Sequence, residues 1–256
     1  MTFTFGEFES DSLGLIATLK ALPSFGGLQL ETLEAPGTDG QYLAATTLSK
    51  AQFIFDVIIR GATATEAHTI RDTLSVALDP KRGEKWLAFD AAPGWRWLAV
   101  LAGPIPWERV TWDAGAGFQL RADVTFDALE AFGRPVEDES WPGGAGTVTR
   151  TLGNAQSFPT LEITGMLLVA TPITITIGDV RVRLTTTLQA GEVLRLDWDK
   201  QDFAVWNGPA KVRSVVRQMS VLDRPVLWPG ERATFTVTTE GPSNLTSTLY
   251  ANSRRQ

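Results

Sequence analysis

Along most of the chain apolar and polar residues alternate with the period of two expected of half-exposed strands. "RWLAVLAG" (residues 96–103) and "FQLRADVTF" (118–126) are clear cases, and "FIFDVIIRG" (53–61) predicts a buried strand. One segment has the helical period instead. In "TATEAHTIRDTLSVALDP", Thr63 predicts a helix cap, with Glu66 three residues later as a capping box requires. Ala67, Ile70, Leu74, Ala77 and Leu78 then share one face, and Pro80 stops the helix.

The pattern breaks down over residues 131–146, "AFGRPVEDESWPGGAG", where acids, prolines and glycines replace the alternation. This stretch predicts a boundary between domains. Before it lie strands and one helix. After it come only short strands: "TVTRTL", "TLEITG", "PITITI", "VRVRLTT", "EVLRLDW", "FAVWNG", "VRSVVR" and "ATFTVTTEG". Turn residues separate them at regular intervals, which predicts a β-sandwich. Asn207-Gly208 suits a type I′ hairpin turn. No internal repeat is visible.

Composition narrows the function classes. The 256 residues suffice for one large domain or two modest ones. The net charge of −6 and the lack of a basic run argue against a nucleic-acid-binding surface. Without cysteine there is no disulfide, zinc finger or thiol chemistry, and folding in a reducing cytosol is the natural expectation. The N-terminus lacks the charged and apolar regions of a signal peptide. The most apolar run, "MLLVATPITITI" (166–177), is too short to span a bilayer and holds Pro172, so no membrane association is expected.

Candidate chemistry is sparse. His68, the one histidine, falls roughly 125° from the apolar helix face at about 100° per residue. It is expected on the surface, without the partners of a triad or zinc site. Asp197, Asp199 and Asp202 imitate part of a calcium loop. Counting from Asp197, however, neither the glycine of the sixth place nor the glutamate of the twelfth is present. Glu137/Glu139 and Glu31/Glu34 could be imagined as glycosidase acids, but their settings predict solvated charge. Nine tryptophans are many. Their expected roles are packing and interface, with sugar stacking as the alternative. No catalytic, cofactor or metal site assembles, which points to a structural or binding protein and not an enzyme.

The order of motifs resembles the distal tail protein family of long-tailed, siphovirus-type bacteriophages. "FGEFESDSLGLIAT" (5–18) stands where the family's first strands lie, and "APGTDGQYL" (35–43) is similar to its Pro-Gly-x-Asp-Gly loop. The helix, "GEKWLAFDAAPGWRWLAVLAG" and "FQLRADVTFDALEAFGRP" follow in order. Beyond the boundary, "LGNAQSFPTLEITG", "AGEVLRLDWD" and "VLWPGERATFTV" resemble later family segments. Two local departures are Thr38, where a basic residue is expected, and the ending "FGRP".

The resemblance implies a mainly β fold with one helix. Residues 1–140 would form an α+β, split-barrel-like belt domain, and 141–256 a galectin-like β-sandwich. Pro36, Gly37, Asp39 and Gly40 would form an ordered structural loop, and six copies would close into a ring at the tail tip. Implied partners are the chain itself, the major tail tube protein, the tape-measure protein, and hub or receptor-binding proteins. Genome DNA would pass through unbound. The location would be the virion, with assembly in the host cytoplasm. The alternative is a carbohydrate-binding module contacting the host surface, with Trp198, Trp206 and Trp228 as candidate sugar or interface contacts.

Overall fold

The computed structural model describes residues 1–21, 28–33, 42–48, 50–241 and 244–256. The chain forms two compact units, Met1–Val136 (with Gln256) and Glu137–Arg255. The division falls inside the acid-, proline- and glycine-rich stretch. That stretch is not a bare linker, since it also contains two short strands described below.

The first unit contains β1 (Phe3–Phe5), β2 (Phe8–Glu9), β3 (Ile16–Ala21), β4 (Leu28–Leu33), β5 (Tyr42–Leu48) and β6 (Gln52–Gly61). The helix α1 (Ala64–Ala77) follows, then β7 (Lys85–Phe89), β8 (Trp95–Leu101), β9 (Glu108–Asp113), β10 (Gly117–Ala128) and β11 (Arg134–Pro135). One antiparallel sheet runs β2-β1-β7-β8-β10-β6-β3, with β9 beside β10 and β11 beside β8; β4 and β5 pair with each other.

The helix starts as its sequence dictates. Thr63 Oγ1 accepts from the Glu66 amide at 3.1 Å. The Glu66 carboxylate reaches back to the Ala62 amide at 2.8 Å, one residue earlier than in the standard box. Ala67, Leu74 and Leu78 are buried.

Residue parity on β6 and β10 sets the core of this unit. Phe53, Phe55, Val57 and Ile59 point inward opposite Leu120, Ala122, Val124 and Phe126. Phe55 packs edge-on against Phe126 at 5.8 Å, and Phe89 stacks on Trp97 at 5.1 Å. The expected two-sided burial of β6 is not found. Its other face carries a charged ladder, because Asp56 and Asp123 stand opposite each other in register. Arg121 grips Asp56 with two bonds of 2.8 and 2.5 Å, and Lys20 reaches Asp123 at 2.6 Å. Each cation thus relieves a like-charge pair that would otherwise oppose sheet formation. The Arg121 guanidinium holds the Asp56 carboxyl below its ordinary value.

The second unit contains β12 (Ser140–Pro142), β13 (Ala145–Thr149), β14 (Thr160–Thr164), β15 (Leu167–Ile177), β16 (Val180–Leu188), β17 (Glu192–Asp197), β18 (Asp202–Asn207), β19 (Ala210–Ser214), β20 (Arg232–Thr239) and β21 (Thr246–Tyr250). These form two antiparallel sheets, β12-β21-β14-β17-β18-β19 and β13-β20-β15-β16. Both sheets feed one core. Leu161, Leu194, Leu196, Val205 and Leu249 come from the first, and Ile173, Ile175, Val182, Leu184 and Phe235 from the second. The unit is therefore a β-sandwich.

The hairpin after β18 corrects a sequence expectation. Asn207 pairs with Ala210, so Gly208 and Pro209 are the two central residues. Gly208 has φ +55°, while the Pro209 ring requires a negative φ. A positive φ at the first central position alone is the type II′ pattern; Pro209 rules out type I′.

A charged pair also joins β17 to the edge strand β19. Arg213 donates to the Glu192 carboxylate at 3.0 and 3.2 Å and to the Thr187 carbonyl. Glu192 additionally accepts from the Gln189 amide at 2.9 Å. The Arg213 bonds, then the Gln189 amide, pull the Glu192 carboxyl below its ordinary 4.5. A depressed carboxylate stabilises the fold above its unfolded pKa, and that stability is lost as pH falls through the folded one. The wild type is therefore expected to lose more melting temperature than Glu192→Gln between neutral pH and pH about 3. Parallel thermal melts check this, and equal losses would contradict it.

Candidate functional site

The tryptophans singled out from the sequence take three different positions. Trp198 is fully buried and packs on Phe203 with ring centroids 5.9 Å apart. As a sugar or interface contact it is corrected by its position, since no part of the indole reaches the surface. Trp206 is half-buried on β18, with the Lys211 ammonium 5.9 Å from its ring centre and its indole nitrogen shielded. Trp228 is 49 % exposed and lines a cleft with Asp179, Arg224, Glu231 and Arg232.

The carboxylates separate in the same way. Asp197 accepts from the Lys200 amide at 2.9 Å, Asp199 pairs with Arg254, and Asp202 pairs with Lys211. Three partners in three directions disperse the calcium-loop imitation, and no metal-type cluster occurs among the described residues. Glu139 is not the free solvated charge expected of it. Its carboxylate accepts from the Thr151 amide at 2.9 Å, the Thr151 hydroxyl at 2.5 Å and the Leu152 amide at 3.2 Å, fixing the chain on entry to the sandwich. Glu31 is exposed, and Glu34 lies outside the described residues. The loop residues Pro36, Gly37, Asp39 and Gly40 also lie outside them.

His68 is half-buried and not simply solvated. Its ring lies edge-on to Trp112 at 5.2 Å, and the Arg109 guanidinium covers Trp112 at 4.7 Å. This arrangement packs α1 against the sheet through an aromatic contact 44 positions away in sequence, which no local pattern could reveal.

Two features went unread in the sequence. Arg150 is 1 % exposed and donates to the Ala155 carbonyl. Burial lowers its pKa below the ordinary arginine value, opposed by the carboxylates of Glu139 and Asp138. The signal was present, because Val148 and Arg150 fall in phase as inward positions of one strand pattern. The second is at the start of β15, where the register with β16 shifts between Leu167 and Thr171. That shift leaves Leu168 and Val169 77 % and 74 % exposed, which accounts for the outer half of the long apolar run.

Comparison with known proteins bears on the whole chain. Residues 13–115 match the family described as the phage tail protein RIFT-related domain. No curated protein matches by sequence. Among solved structures, the fold matches the Dit (gp 19.1) protein of SPP1, described as a paradigm of the hub adsorption apparatus in Gram-positive infecting phages. The TM-score is 0.71 at 12 % identity, covering 97 % of each chain. Chains of the phage P2 baseplate in its activated conformation, with Ca or with Sr, match at 10 % identity. The Ca form covers 100 % of this chain and 98 % of that one, the Sr form 97 % of each; both have a TM-score of 0.47, too low to speak for a shared fold. The resemblance read from the motifs is borne out: the chain has the mainly β fold of a siphophage distal tail protein, with a single α-helix among the described residues, and its residues 13–115 match the phage tail RIFT-related domain family.

Proposed function

We propose that the chain is a structural component of a phage tail tip, a hexameric ring adaptor joining the tail tube to the hub or receptor-binding apparatus. The single observation that carries this reading is the match to SPP1 Dit over 97 % of both chains, with a phage tail domain at residues 13–115. In this reading the first unit is the ring-forming belt, and the second is a galectin-like sandwich. The work is done by shape, without catalysis or a cofactor. The tube protein, the tape-measure protein and the hub are the neighbours. The protein resides in the virion after assembly in the host cytoplasm.

The physical features agree with that role. β3 closes one end of its sheet, and an edge strand of this kind can be covered by the next copy in a head-to-tail interface that closes into a ring. Six chains of charge −6 carry about −36. An acidic surround repels DNA phosphates and lets the genome slide without adhering.

Location is tested by gold-labelled antibodies against this chain on intact virions. Label at the tail tip is expected. Label on the capsid, or none on virions, would refute the assignment.

A further inference from the structure

One cleft of the sandwich sets an exposed tryptophan among charged side chains. It lies between the turn of the β15–β16 hairpin and residues 224–233, with a volume of about 350 Å³, toward the small end of ligand sites. Its walls are held by the backbone. Leu227 and Ser157 exchange bonds of 2.9 and 3.0 Å, the Gly230 amide donates to the Arg150 carbonyl at 2.8 Å, and the Gly178 amide to the Thr234 carbonyl at 2.8 Å. Leu227, next to Trp228, is 3 % exposed, yet the indole is left 49 % exposed over the opening. A large apolar ring presented from a fixed backbone is a stacking surface prepared in advance.

The polar groups beside it decide the ligand. Asp179, Glu231, Arg224 and Arg232 line the same cleft. Among the described residues, Asp179, Glu231 and Arg232 make no ion pair or side-chain hydrogen bond, despite their opposite charges. Arg224 is held in place, with its guanidinium 3.8 Å over the Phe158 ring and a 3.5 Å bond to the Asp199 carbonyl. The four charges sum to zero, so the cleft has no net attraction for a polyanion. Two carboxylates accept from hydroxyl groups and two guanidinia donate to ring and hydroxyl oxygens. A ligand with an apolar C–H face and many neutral hydroxyls satisfies both. We infer that this cleft binds a neutral saccharide, one or two rings long, stacked on Trp228. The inference does not depend on the ring reading.

The test uses the full chain and a panel of glucose, galactose, N-acetylglucosamine and their β-linked or α-linked disaccharides. Binding is read by saturation-transfer NMR, with heparin as a polyanion control. At least one neutral sugar is expected to bind, and Trp228→Ala is expected to weaken it about tenfold or more with an unchanged melting temperature. Asp179→Asn and Glu231→Gln, which leave the indole in place, should weaken the same sugar. Three results would overturn the assignment: no neutral sugar binds, Trp228→Ala binds as well as wild type, or heparin alone binds.

Discussion

Trp198→Ala is expected to destabilise the sandwich by about 3–5 kcal/mol, the range for emptying a buried aromatic site. The indole is fully enclosed and belongs to the core shared by both sheets. Its neighbours Leu194 and Leu196 lie on the same strand face, so the side chains that would have to close the gap are themselves fixed in register on β17. The indole nitrogen is buried with no hydrogen-bond partner among the described residues, and a buried donor left unpaired costs about 1–3 kcal/mol. Trp198→Phe deletes that unpaired donor along with one ring. It is therefore expected to lose far less than Trp198→Ala. Urea denaturation of the three proteins measures the difference. A loss below about 1 kcal/mol for the alanine variant would mean the site is not the packed centre described above.

The second large effect is expected at Gly153. This glycine has φ +83°, a conformation that costs other residues strain. A Cβ there would come inside van der Waals contact of the Arg254 carbonyl oxygen and 2.9 Å from its carbonyl carbon. The collision is with backbone, which cannot swing aside. It is also with the anchor of the C-terminal segment, because the same Arg254 oxygen accepts from the Asn154 and Ala155 amides at 3.1 and 3.3 Å. Gly153→Ala is expected to cost about 2 kcal/mol or more and to release the segment ending at Arg254. Denaturation gives the energy, and limited trypsin digestion reports the release as faster cleavage at Arg254 or Arg255. An unchanged midpoint and digestion rate would contradict this.

Both sites show what the sequence could and could not disclose. In "EVLRLDW" the even positions Leu194, Leu196 and Trp198 share one strand face, so period-two parity already placed the tryptophan inside. A count of tryptophans hid that, and parity would have kept Trp206, out of phase with Phe203 and Val205, as the more exposed ring. The helix was legible because its cap and apolar face are local, three and four residues apart. Gly153, Glu139 and His68 were not, because their partners at Arg254, Thr151 and Trp112 are brought close only by folding. The Trp228 cleft has the same origin. Its hairpin and its tryptophan segment are separate in sequence, and only the sheet pairing brings them to one opening.

The central claim is that copies of this chain close on themselves, and native mass spectrometry of the purified full-length protein addresses it directly. The ring account predicts a dominant species of six times the 27.9 kDa chain, seen as closed six-fold rings when the same sample is imaged by electron microscopy. A protein that stays monomeric at every concentration, and remains so when mixed with its tail tube and hub proteins, would contradict it.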